Sequence, residues 1–169
     1  MSSRRFAYTP GFRPDGFIDY NNTIGALALT ADTWTDVKNN GAGSFTNKGY
    51  SPVPELIDTA VSQGLDFQHL SLGDAILIRV DFTITPEVNG ATVEWRYELG
   101  TGGGLYYVPG TVGNMLNGAG VAYRFVNEDY IYMGDTNTKD NPGTVQVKCS
   151  EAASFNYAGC AMQVFRYGD

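Results

Sequence analysis

The sequence predicts an all-β fold, a single sandwich or barrel, on three observations. From Phe17 onward apolar residues recur at every second position far more often than at the helical spacing of about 3.6. Gly, Asn, Asp and Pro break those runs about every 8 to 12 residues. The composition, with 21 Gly, 7 Pro, 13% aromatic and only 17% charged residues, is that of many short strands joined by turns. At 169 residues the chain has the length of one domain, enough to bury about 70% of its unfolded surface without a disulfide framework or a structural metal. An apolar content of 43% excludes a disordered chain. No run approaches the roughly 18 consecutive apolar residues of a membrane helix.

The early strands are short: Phe17 to Tyr20, Ile24 to Leu29 and Thr33 to Val37. Asn39 to Tyr50 reads as a loop. Leu56 to Ala60 and Leu65 to Phe67 read as further strands, with a competing helix at Val53 to Ser62, where Pro54-Glu55 suits a helical first turn and Gly64 would end it. The clearest strand is Ala75 to Ile84, with Ile76, Ile78, Val80, Phe82 and Ile84 on one face and Leu77, Arg79, Asp81 and Thr83 on the other. Thr92 to Leu99 alternates likewise, placing Val93, Trp95, Tyr97 and Leu99 inward. With Pro86 and Asn89-Gly90 between them, the two read as a hairpin. Gly100 to Gly104 and Thr111 to Gly120 read as loops, and the remaining strands as Gly120 to Val126, Tyr130 to Met133, Thr144 to Cys149 and Asn156 to Arg166.

Candidate chemistry is sparse, and neither a catalytic residue, a metal ligand set nor a cofactor is expected. Two cysteines and one histidine, His69, cannot complete a common zinc site; His69 reads as a hydrogen-bonded turn residue. Gly100-Thr101-Gly102-Gly103-Gly104 lacks the lysine and helix of a phosphate loop and reads as a turn. Glu94 and Glu98 share a strand face, but four strand residues at about 3.3 Å each hold their backbones about 13 Å apart, too far for a glycosidase pair. Asp135, Asn137, Asp140 and Asn141 offer oxygens without the glycine and glutamate of a calcium loop, and read as turn residues. Trp34, Trp95 and 11 tyrosines admit a sugar-stacking face. Since Trp95 and Tyr97 are in phase with the core, core and subunit interface are the favoured readings. Val145, Val147 and Cys149 share one parity, as do Ala158, Cys160, Met162 and Val164, so both thiols are expected to point into the core from one hairpin. A disulfide between them is conceivable by position, but free thiols are expected.

Residues 1–16 lack the strand periodicity. They combine Arg4, Arg5 and Arg13 with Phe6, Tyr8 and Phe12, broken by Pro10-Gly11 and Pro14, so the segment reads as an extended arm that packs on a partner. Residues 17–169 form the domain. The first 13 residues carry a charge of +3 and the rest −10, so the body repels nucleic acid. The opening residues lack the apolar run of a secretory signal, which suggests cytoplasmic synthesis.

Leu56-Ile57-Asp58-Thr59-Ala60, Asp66-Phe67-Gln68-His69-Leu70-Ser71-Leu72-Gly73-Asp74 with the strand after it, and Tyr130-Ile131-Tyr132-Met133-Gly134-Asp135-Thr136-Asn137-Thr138 resemble structural proteins of tailed-bacteriophage virions. The resemblance covers residues 17–167. It implies a single jelly-roll β-sandwich akin to the tumour-necrosis-factor fold, here with an extended N-terminal arm, and assembly as a homotrimer. It also implies a place in the virion: a capsid decoration (cement) protein on the outer surface of the head, made in the host cytoplasm and partnered by the major capsid protein. The alternatives are a host-binding fibre head and, remotely, a sugar-active enzyme. Neither a membrane nor nucleic acid is expected as a partner. Arg4, Arg5, Phe6, Tyr8, Phe12 and Arg13 are the expected capsid contacts.

Overall fold

Two antiparallel sheets face each other as a jelly-roll sandwich in the computed structural model, which describes residues 11–47 and 53–168. The strands are β1 (Phe12–Asn21), β2 (Ala26–Leu29), β3 (Thr35–Val37), β4 (Ala42–Asn47), β5 (Ala75–Pro86), β6 (Ala91–Leu99), β7 (Tyr106–Leu116), β8 (Tyr123–Tyr132), β9 (Thr144–Cys149) and β10 (Ala153–Tyr167). A short helix, α1 (Thr136–Asp140), lies between β8 and β9. The six-stranded sheet runs β4-β1-β10-β5-β8, with β2 also paired to β10, and the four-stranded sheet runs β3-β9-β6-β7.

The strong alternation of β5 and β6 is present as read, but the two do not form a hairpin. β5 lies between β10 and β8, whereas β6 lies between β9 and β7 in the opposite sheet. Each strand buries one full face, and residues 87–90 carry the chain across the roughly 10 Å between packed sheets. Glu87 N–H donates to Ala152 O and Gly90 N–H to Leu116 O, which anchors the crossing to both sheets. A cluster of Phe82, Trp95, Phe125 and Phe155 joins the layers, with Phe82 ring centroids 5.0 Å from Trp95, 5.3 Å from Phe125 and 5.1 Å from Phe155. Gly110 passes against the Trp95 indole so closely that a Cβ there would lie 1.4 Å from Nε1.

Other expectations also change. The loop expected at Asn39 to Tyr50 contains β4, and β7 continues to Leu116 through part of the Gly-rich stretch expected as a loop. Gly120 to Val126 and Tyr130 to Met133 belong largely to one strand, β8. Neither a helix nor a regular strand forms at residues 53–67, so the strands expected at Leu56 to Ala60 and Leu65 to Phe67 are both absent; Ile57 makes a single bridge to Leu65. There the Leu56 amide donates to Tyr20 Oη at 2.8 Å and the Asp58 carboxylate accepts the amides of Ala60, Val61 and Ser62, so the local donors are spent on side chains. Finally, pairing begins at Phe12, not Phe17: Phe12, Arg13 and Pro14 lie opposite Tyr167, Arg166 and Phe165. Among the described residues β4 pairs only with residues 17–21 of β1, so Pro14 lies outside that ladder, where a missing N–H is tolerated.

The register of β10 shifts between Tyr157 and Gly159. Before the shift Ala153, Phe155 and Tyr157 face the core; after it Cys160, Met162 and Val164 do, and Ala158 is exposed, contrary to its expected parity. Gly159 makes this possible at φ +142°, where a Cβ would lie 2.0 Å from the Tyr20 carbonyl oxygen. Gly159→Ala should therefore separate β1 from β10 and lower the unfolding free energy by about 3 kcal/mol or more. A urea titration showing less than about 1 kcal/mol of loss would contradict the close approach.

Cys149 and Cys160 are both buried and free. They lie in different sheets, on β9 and β10 joined by residues 150–152, and not on the single hairpin expected. Burial pushes the Cys160 thiol up to about 12, which removes the reactive thiolate at neutral pH. A thiol reagent should label neither residue in the folded protein and both after denaturation. Absence of free thiols in the denatured protein would mean a disulfide.

Candidate assembly interface

The outward face of the six-stranded sheet can be read row by row from its register. At one end Pro14, Phe165, Ala75 and Tyr132 lie side by side; the next row is Phe17, Gln163, Leu77 and Tyr130. Tyr130 and Tyr132 are each 51% exposed and Leu77 is 37% exposed. The third row, Phe45, Asp19, Ala161, Arg79 and Glu128, introduces charge, and beyond it Asp81 lies opposite Val126. Apolar and tyrosine side chains thus occupy the solvent face of strands whose other face is already core. Surfaces of this kind, rings with polar tips and few charges, suit protein–protein contact. A tyrosine excess is the signal for this face in the amino-acid sequence, but it does not name the residues, because outward parity of Tyr130 and Tyr132 follows only once Ile131 is known to be inward.

Beneath this face the sheet end is held by charge. Arg166 on β10 donates through Nε to Asp15 at 3.0 Å and through Nη1 to Asp74 at 2.7 Å. Asp15 sits at the β1 bulge, and Asp74 also accepts the amides of Ser71 and Tyr167. Both carboxylates are 1% exposed. Removing one partner from such a buried group typically costs about 3–5 kcal/mol.

The outward face of the four-stranded sheet is different. The Arg96 guanidinium carbon lies 4.1 Å from the Trp34 ring centroid and 3.6 Å from that of Tyr107, so the rings take opposite faces of one planar cation. Arg96 Nε donates to Gln146 Oε1 at 2.8 Å, and Gln146 Nε2 donates to Asp36 and Glu98. Lys148 sits 5.1 Å from the Trp34 centroid and pairs with Glu94 at 3.0 Å. Ring surface on which a sugar would stack is therefore taken by cations. Glu94 and Glu98 have cation or amide partners and no shared substrate space.

The remaining candidates are turn residues with structural partners. Asp135 caps α1 by accepting the Thr138 amide, and Asn137 both accepts from Gly104 N–H and donates to Gly104 O. One asparagine thus clasps the glycine-rich turn. His69 is exposed in its turn and makes none of the hydrogen bonds expected of it. Among the described residues no group of three or more His, Cys, Asp or Glu could hold a metal ion, and no helix is long and apolar enough to cross a membrane. Of the expected capsid contacts, Arg4, Arg5, Phe6 and Tyr8 lie outside the described residues, whereas the backbone of Phe12 and Arg13 belongs to β1.

The turn carboxylates give a pH signature. Amide donors, from Ser62 first for Asp58 and from Thr138 first for Asp135, hold both carboxyls below the usual range. Because their folded values are depressed, both caps contribute fully above the unfolded value of about 3.9 and are lost as pH falls through the folded one. Carboxyl NMR titration should place both midpoints below those of ordinary surface aspartates; a midpoint above about 4 for either would show that its cap is not formed.

No protein-family model and no curated protein matches the sequence. Among solved structures the chain is similar to an Eiger tumour necrosis factor from S. frugiperda, at 10% identity and a TM-score of 0.49 over 93% of this chain and 95% of that one. It is also similar to the infectious bursal disease virus Gx strain structure, at 12% identity and a TM-score of 0.41 over 95% of this chain and 58% of that one. A subviral particle of the same virus gives 14% identity and a TM-score of 0.40, covering 94% and 57%. The chain spans less than two thirds of the length of either bursal disease virus chain.

Proposed function

We propose that this chain is a structural virion protein, a decoration (cement) protein that binds the outer surface of a tailed-phage head as a homotrimer and stabilises the shell. The observation that carries the reading is the outward face of the six-stranded sheet, where Leu77, Tyr130, Tyr132, Phe17 and Phe165 form an apolar and aromatic surface backed by a fully formed core. Three copies joined through such faces would bury the several thousand Å² (about 2,000–5,000) of an obligate assembly. The resemblance of the sequence to phage structural proteins supplies the virion setting and the major capsid protein as partner. Arg4, Arg5, Phe6 and Tyr8 are the anchors to that partner, with Phe12 and Arg13 continuing into β1. Guanidinium groups there would bond carboxylates or carbonyls of the shell while the rings fill apolar recesses.

Removing residues 1–10 deletes the first four anchors and leaves every residue of β1, which starts at Phe12, in place. The shortened protein should fold, keep a solution mass of three chains, and bind particles lacking the protein more weakly by about 2–4 kcal/mol, the scale of a few hot-spot side chains. Occupancy and heat resistance of the decorated shells provide the readout. Full decoration by the shortened protein would remove the arm as the clamp and favour the host-binding fibre head. A full-length monomer at micromolar concentration would remove the trimer.

A further inference from the structure

A recess of about 120 Å³ opens between the two sheets, walled by Phe82 and Phe125 of the six-stranded sheet and by Val93 and Trp95 of the four-stranded one. Its cause is uneven cover. Tyr123, Phe125 and Asn127 stand on the inward side of β8 yet are only half-buried, whereas their ladder partners on β5, Ile84, Phe82 and Val80, are fully buried. The opposite sheet thus covers β5 completely and β8 in part.

Trp95 brings an unmet hydrogen bond to this recess. The residue is 3% exposed, and its Nε1 is, among the described residues, the buried side-chain nitrogen or oxygen without a hydrogen-bond partner. Native interiors seldom leave such a donor alone, since drying it without an acceptor forfeits its bonds to water and gains none in return. Glycine at position 110 keeps a protein side chain away from this nitrogen, because a Cβ there would lie 1.4 Å from Nε1.

The lining limits what can enter. Among the described residues it includes no lysine, arginine or histidine, so an anion would meet no countercharge. Glu94 is its one acid, and that carboxylate already pairs with Lys148 at 3.0 Å, so a cation gains little. Rings make up most of the wall, with Phe82 centroids 5.0 Å from Trp95 and 5.3 Å from Phe125, spacings at which a further ring packs edge to face or offset. A closed apolar cavity of about 150 Å³ accepts benzene. The recess, open on one side, therefore has room for one six-membered ring with a small substituent.

We infer that this recess binds a small uncharged aromatic compound, whose ring packs on Phe82, Trp95 and Phe125 and whose acceptor atom takes the Trp95 indole N–H. Such a ligand would bridge the two sheets where β8 is least covered. The site lies between the sheets and not on the outward assembly face, so the inference does not depend on self-assembly.

The test uses benzonitrile and phenylacetylene, which match in size and shape but differ in that only the first carries an acceptor nitrogen. The chain has two tryptophans, so its proton–nitrogen NMR spectrum has two indole N–H signals, and Trp34→Phe identifies that of Trp95. Benzonitrile should move this signal downfield with half-saturation at about 1 mM or below, and phenylacetylene should bind about fivefold more weakly without the downfield movement. Phe125→Trp, which fills the recess from its half-exposed wall, should abolish binding of both while circular dichroism stays unchanged. In Trp95→Phe, which keeps a ring but no donor, the two compounds should raise the melting temperature equally. If either variant fails to fold, the wild-type comparison decides. No saturable movement of the Trp95 signal up to about 10 mM benzonitrile overturns the site. Equal affinity of the two compounds for wild type overturns the assigned hydrogen bond and the inference with it, and undiminished binding by folded Phe125→Trp places the ligand elsewhere and does the same.

Discussion

The carbonyl of Tyr20 occupies the space that any side chain on residue 159 would need, and the six-stranded sheet depends on that close approach. β10 is 15 residues long and pairs with β1, β2 and β5. With strict alternation throughout, such a strand would turn Gln163 inward and Met162 and Val164 to solvent. The shift at Gly159 reverses the parity midway and lets both halves bury apolar side chains. Its neighbours depend on the same spot. The Tyr20 hydroxyl holds Glu55 and the Leu56 amide, while Asn39 donates to the Tyr20 carbonyl at 3.4 Å and to Cys160 Sγ at 3.8 Å. A segment without regular structure is thereby tied to the sheet by one aromatic residue.

The two ends of the sandwich are stabilised by different physics. Around Phe82 the layers meet through rings and aliphatic side chains, where attraction is nondirectional and follows buried area. Around Arg166 the sheet closes on ions, and geometry decides the outcome because two carboxylates share one guanidinium out of water. That arrangement fixes Asp74 against the Tyr167 amide, so the loop before β5 and the end of β10 move together. Tyr97 adds a third device near the β8 edge, donating to Asp129 at 3.0 Å; burial, reinforced by that carboxylate, pushes its phenol well up and keeps it a donor.

Period-two alternation made β5 and β6 legible residue by residue, because both strands bury one face completely and expose the other in part. Their partners were illegible for the same reason: alternation reports that a face is buried, not which sheet buries it. β4 was hidden because Ala42, Gly43, Ser44 and Thr46 offer no hydrophobic alternation and only Phe45 is large. α1 was hidden because five residues carry no helical period, leaving only the Asp135 cap as a sign. Of the candidate interface, its composition was visible as a tyrosine excess. Its location required the register, which brings Leu77 beside Tyr130 and Gln163 from distant parts of the chain.

The pairing of Phe12 with Tyr167 joins the first described strand to the last, and it bears on how the molecule is made. Synthesis at about 5–20 residues per second means that β1 waits many seconds for β10 to leave the ribosome. From the synthesis of β8 until that of β10, β5 has only one of its two lateral partners, and the backbone groups along its other edge lack their ladder bonds. Folds dominated by such distant pairings close in milliseconds to seconds once the chain is complete. The half-sheet of β5 and β8 therefore waits for β10, and the rate of translation between β8 and β10 sets how long that state lasts.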